Sequence, residues 1–223
     1  MPLQQNPNCH LKLLVTLSEE APSHVRRLIP YVPSTLERVA PDKFYELVQA
    51  LGKGDLELEI FESRQLIADF QPDQKKIRLS TRPLELLWAQ AYAYWVWYSE
   101  VLSTERQRGQ EIDPHSNPAV HRALELLRWA TEEMVNSRCQ PWPDNAPSLE
   151  SEPENQSCAH VAQELSLFAV GFILHHELSH HRFGHQAVED IDQERDADYG
   201  AMAWIMEKID ISAPEFTKRA LGE

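Results

Sequence analysis

The run His176-Glu177-Leu178-Ser179-His180 sets two imidazoles four residues apart with a carboxylate beside the first. On a helix, side chains four apart lie one above the other, so both rings can reach one ion at roughly the 2.0–2.1 Å that zinc requires. Glu177 is one step round from His176, next to such an ion but not aimed at it. That position suits a general base acting on water held by the metal. The spacing is the H-E-x-x-H arrangement, and it predicts a hydrolytic Zn2+ centre with Glu177 as its catalytic residue. In a chain with ten histidines the spacing alone is only suggestive. The preceding apolar run through Phe168, Ile173 and Leu174 and the helix-stopping Gly184 supply the helical context it needs.

A catalytic zinc takes three protein ligands and keeps one position open for water. Downstream, Glu194 and Asp198 stand four apart and open a second helix whose Ala201, Trp204 and Ile205 face the core. One of these carboxylates can bind the metal, and the other can accept a hydrogen bond from the second nitrogen of a ligand imidazole. His185 is a substitute third ligand, because imidazole is equally acceptable to zinc. His185 and Tyr199 are also expected, with Asp198, just behind the ligands, where either is a candidate for the donor that stabilises an oxyanion. His175 and His181 flank the motif at about 100° per residue from its histidines and are expected around the ion's ligands or facing solvent. The acidic residues Glu189, Asp190, Asp192 and Asp196 lack EF-hand spacing and read as solvated surface near a cleft that favours basic peptides.

His176-Glu177-x-x-His180 followed by Glu194-x-x-Ala197-Asp198 resembles the gluzincin-type zincins, including the HtpX-like proteases and the ImmA/IrrE group. In those proteins the Glu of the second motif is the third zinc ligand, which implies Glu194 here. The doubled His175-His176, the helix end at Gly184-His185 and the compact size are similar to the Lit family of phage-exclusion peptidases. The motif resemblance covers about residues 171 to 205, and the spacer between His180 and Glu194 is short for the broader class. It implies a zinc endopeptidase with a selective intracellular protein substrate, in the Lit family a translation factor. The metzincin pattern does not fit, since its Gly and His positions hold Phe183 and Gln186.

Composition narrows the alternatives. The chain has 223 residues, 42% of them apolar, enough to bury one enzyme-sized core. A formal charge of −14 and a pI near 5.1 argue against nucleic acid, which needs clustered Lys and Arg. Three scattered cysteines, Cys9, Cys139 and Cys158, offer neither a disulfide framework nor a thiolate zinc site and point to a reducing, cytoplasmic setting. The start lacks the features of a secretory signal, and the apolar stretch Leu165–Leu174 is far short of the roughly 20 residues of a membrane span, so no membrane partner is expected. Two other functions use the same residues. One is a regulatory or toxin–antitoxin-like binding protein with a structural or vestigial zinc, which an intact Glu177 disfavours; the other is a zinc amidohydrolase acting on small molecules.

The elements that must position these groups follow from periodicity. The expected class is α+β: a mainly helical zincin-like domain spanning 1–223, with a small antiparallel sheet and an H-E-x-x-H helix. Residues 1–54 read as a helical flank, including a helix from Pro41 striped by Phe44, Leu47, Val48 and Leu51 and stopped at Gly52. Over 55–80, Leu56, Leu58 and Ile60 alternate with Glu57 and Glu59, and Ile77 and Leu79 with Lys76 and Arg78, the period of an antiparallel meander. Residues 83–138 hold scaffold helices, the first rich in Trp and Tyr and expected to be mostly buried. Residues 139–157 form a polar loop of mobile composition, and 158–208 the zinc-site helices.

Overall fold

The computed structural model describes residues 11–16, 24–41, 43–44, 46, 56–103, 106, 109, 113, 116–136, 140–149, 151–185 and 190–207. Four strands form one sheet: β1 (Leu11–Thr16), β2 (Leu56–Phe61), β3 (Ala68–Gln71) and β4 (Lys76–Ser80), in the order β1-β2-β4-β3. Alternation decides the faces. Leu56, Leu58 and Ile60 of β2 and Ile77 and Leu79 of β4 are buried, while the intervening charges form a cross-strand ladder on the other face. There Lys76 reaches Glu57 at 2.7 Å and Glu59 at 3.5 Å, and Arg78 reaches Asp69 at 3.4 Å.

The class is α+β, as expected, but the sheet is mixed and not an antiparallel meander. β2 runs parallel to both β1 and β4, and only the β3–β4 pair is antiparallel. A period of two fixes which side chains point inward and is the same for either strand direction, so it says nothing about the partner. The chain crosses from β2 to the far edge, forms β3, and returns through the turn Pro72–Gln74, inserting β4 between β2 and β3. The helical reading of the first 54 residues also needs correction, because Leu11–Thr16 pairs in register with Leu56–Phe61. A 3-10 turn, Arg26–Tyr31, and helix α1 (Val32–Val39) follow it. The helix expected from Pro41 to Gly52 lies largely outside the described residues, Leu47, Val48 and Leu51 among them.

Helix α2 (Thr81–Trp97) starts directly from β4 and passes through a π-turn, Tyr98–Leu102. Its first half is buried around Trp88, yet Tyr94 and Tyr98 are exposed, so the expectation of a mostly buried helix holds only for that half. Buried Arg82 ties it to helix α3 (Pro118–Asn136) by pairing with Glu133, and to Glu85 at 3.0 Å. The polar segment after α3 is a loop, as expected, but not a loose one. Its two large apolar residues, Trp142 and Leu149, are buried, Trp142 stacks on His24, and the Leu149 N–H donates to the His24 carbonyl at 2.6 Å.

Helix α4 (Cys158–Phe183) is the axis of the fold. Ser157 caps it by accepting the His160 N–H at 3.2 Å, and Gly184 ends it. By length and mean hydropathy, 1.3 over its most apolar window, it could cross a bilayer. Here its apolar surface packs against α1, α2, β3 and helix α5 (Ile191–Met206), which makes it a core helix with one open stripe.

The contact with α1 is set by Gly171. A Cβ there would lie 2.6 Å from Val39 Cγ1 and 3.4 Å from Thr35 Cβ. Alanine favours an ordinary helix position by about 1 kcal/mol over glycine, but overpacking a closed interface costs about 1–3 kcal/mol. We expect Gly171→Ala to lower the urea midpoint and Val39→Ala in the same chain to recover part of the loss. A Gly171→Ala protein as stable as wild type would refute this account of the α1–α4 contact.

Candidate metal centre

Helices α4 and α5 bring three predicted ligands together. The Nε2 atoms of His176 and His180 are 2.9 Å apart; Glu194 places Oε2 3.2 Å from the first and Oε1 3.5 Å from the second. One donor atom from each residue lies within 4.8 Å of the others. Donors at 2.0–2.1 Å from a tetrahedral ion stand about 3.3 Å apart, so this triangle fits one face of such a coordination shell. The imidazoles are 15% and 20% exposed and the Glu194 side chain 55%, so the donors are backed by protein on one side and reachable from solvent on the other.

The outer nitrogens are also held. Asp198 Oδ1 is 2.8 Å from His176 Nδ1, and His185 Nδ1 is 3.0 Å from His180 Nδ1. Both Nε2 atoms are thereby left facing inward, the arrangement metal-binding histidines require. Of the two carboxylates that sequence spacing left open, Glu194 sits at the Nε2 atoms and Asp198 behind His176. His185 lies behind His180, away from the triangle. Tyr199 is 74% exposed on α5.

Glu177 lies on the neighbouring side of α4 towards the edge strand β3. Burial pushes its carboxyl up to about 8, the negative charges of Asp69 and Glu194 add to this, and a hydrogen bond from the Phe70 N–H opposes it. Asp69 and Phe70 have no counterpart in the sequence reading. A backbone N–H carries no residue-type signal, and β3 is a four-residue strand whose burial does not alternate.

The flanking histidines differ from the expectation that they surround the ion or face solvent. His175 is buried, with Nε2 3.3 Å from the Leu36 carbonyl of α1. His181 is half-buried with its ring 4.7 Å from that of Phe70. Side chains one residue either side of the ligands are swung onto the helices and strand that cover α4. Arg182, one residue further, stacks over Trp204 of α5 at 4.0 Å.

A family model described as Peptidase U49 matches residues 77–223, from β4 through every residue of the centre. The chain belongs to the peptidase U49 family. The cell death peptidase of Escherichia coli (strain K12) is 33% identical over 150 residues, covering 66% of this chain and 50% of that protein. The chain thus spans about half the length of the curated relative it matches. No solved structure gives a significant match. The U49 match begins at β4, so β1, β2 and β3, including the strand that touches Glu177, lie upstream of it.

Burial holds the His175 imidazole down to about 4, with Arg182 adding to the shift and the Leu36 carbonyl opposing it. The unfolded chain then binds a proton near 6.5 that the folded one refuses. Stability from this group is complete above about 6.5 and falls as pH drops towards 4, by on the order of 3 kcal/mol. In chelator-treated protein, His175→Gln should flatten that acid limb in urea titrations at successive pH values. An unchanged slope would remove His175 as its source.

Proposed function

We propose that this U49 family chain is a zinc-dependent endopeptidase acting on a protein or peptide, with His176, His180 and Glu194 as metal ligands and Glu177 as general base. The observation that carries the reading is the triangle of three inward-facing donors with a buried carboxyl on the adjacent helix position. A zinc ion held there would polarise a carbonyl and lower the pKa of a coordinated water to about 7.

The chain's own residues supply the rest. Asp198 accepts the Nδ1 proton of His176 and keeps that ring in the ligating tautomer. Glu177 takes the proton of the attacking water and passes it to the departing amine. Its carboxyl stays largely protonated at neutral pH when its neighbours are only Asp69 and Glu194, and positive charge at the three donors is what favours its basic form. The exposed carboxylates leave the centre open on the solvent side, and β3 is an edge strand beside it. An extended substrate can pair along that edge through backbone hydrogen bonds.

Glu177→Gln should keep one zinc per chain by elemental analysis and lose cleavage by about 10^2-fold or more. Undiminished hydrolysis by that variant would sink the mechanism. Glu194→Ala should lose stoichiometric zinc, and retained affinity there would move the third ligand to another residue. Comparing protein termini in cells expressing wild type and Glu177→Gln identifies the substrate.

A further inference from the structure

The last turn of α4 ends in a left-handed residue, Gly184 at φ 67° and ψ 31°. Among the described residues no neighbour within 4 Å would obstruct a Cβ there, and the backbone angle itself calls for glycine. The Gly184 N–H bonds the His181 carbonyl at 3.2 Å, and the His185 N–H wraps back to the His180 carbonyl at 3.0 Å. This wrap returns the chain towards the helix it has just left. It sets the His185 ring edge-on to that of His180, with centroids 5.0 Å apart and an interplanar angle of 75°. Phe183 contacts His185, with ring centroids 5.5 Å apart.

The two inward-facing imidazoles are therefore held by unlike partners, His176 by a carboxylate and His180 by another imidazole. With Nε2 of His180 facing Glu194 and His176 to hold an ion, its proton would sit on Nδ1, and among the described residues His185 Nδ1 lies 3.0 Å from that nitrogen. That contact is a hydrogen bond if His180 donates and His185 accepts, with the His185 proton on Nε2. An acceptor without charge has an advantage at this point. Asp69 and Glu194 already push Glu177 up, and a further carboxylate would push in the same direction.

We propose that His185 is a positioning residue of the metal centre, accepting the Nδ1 proton of His180 and fixing that ring's plane and tautomer through the Gly184 cap. The inference rests on the metal-centre reading above. It also removes His185 from the ligand set, since its Nδ1 faces the far nitrogen of His180.

The test is the zinc dissociation constant, measured by competition with a chromophoric chelator, for wild type, His185→Ala and His185→Asn. Loss of an outer hydrogen-bond partner should weaken zinc about 10–100-fold in His185→Ala. Asparagine places an amide oxygen the same number of bonds from the backbone as Nδ1, so His185→Asn should recover most of that loss. The melting temperature of the metal-free proteins should be alike. The cobalt-substituted visible spectrum should keep the same coordination number, while the His180 Nδ1–H resonance shifts in His185→Ala only. Zinc affinity unchanged in His185→Ala, failure of His185→Asn to recover it, or a cobalt spectrum that loses a ligand would overturn the proposal. A wild type that takes up no zinc overturns the metal-centre reading and this inference together, whereas tight wild-type binding undiminished in His185→Ala overturns this inference alone.

Discussion

At Gly200, α5 presses so closely on α4 that the first carbon of any side chain would stand 2.7 Å from Phe183 Cε2 and 2.9 Å from Ser179 Oγ. Phe183 and Ser179 bracket His180 on α4, so this close approach of α5 lies beside the His176–His180 pair. Glu194 lies six residues before Gly200, about 9 Å along the helix axis, and Asp198 lies between them. A side chain at 200 would require Phe183 and Ser179 to shift. The far end of α5 is fixed separately: Trp204 packs beneath the Arg182 guanidinium at 4.0 Å and near the Lys43 ammonium at 4.6 Å. Two contacts, one steric and one cationic, thus join α5, the helix that carries Glu194, to its neighbours.

The centre joins two dielectric environments. Glu194 and Asp198 are more than half exposed, so solvent screens them and holding the two carboxylates near one another costs little. Glu177, on α4, is buried, with Asp69 and Glu194 opposing its ionisation and the Phe70 N–H favouring it. Two exposed carboxylates on α5 and one buried carboxyl on α4 thus lie in unlike environments. Such divergence is what sets neighbouring acids to different chemical roles.

Helix α4 can present these groups only because so much else covers it. α1, α2, α5 and β3 pack on it, and His175 and His181 are drawn into two of those contacts. The sheet contributes through its edge. β3 is placed outermost by the insertion of β4, and from there the Phe70 N–H reaches Glu177. A meander in sequence order would have left β4 at that edge, with a different backbone facing the helix.

Much of this was legible in the residues themselves. The helical period with His176 and His180 one turn apart, the helix stop at Gly184, the inward faces of β2 and β4, and the α+β class all follow from local spacing, which depends on backbone geometry alone. Strand direction, the strand at Leu11–Thr16, the exposed end of α2 and the anchoring of the loop by Trp142 and Leu149 did not follow. Each depends on a partner far away in the chain, and periodicity is blind to partners. The same division runs through the metal centre. Sequence spacing proposed two carboxylates and a substitute histidine; the wrap at Gly184 sets His185 behind His180, and only the packing of α5 on α4 brought Glu194 to the Nε2 atoms and Asp198 behind His176, because the distance between two helices is set by the side chains in their interface.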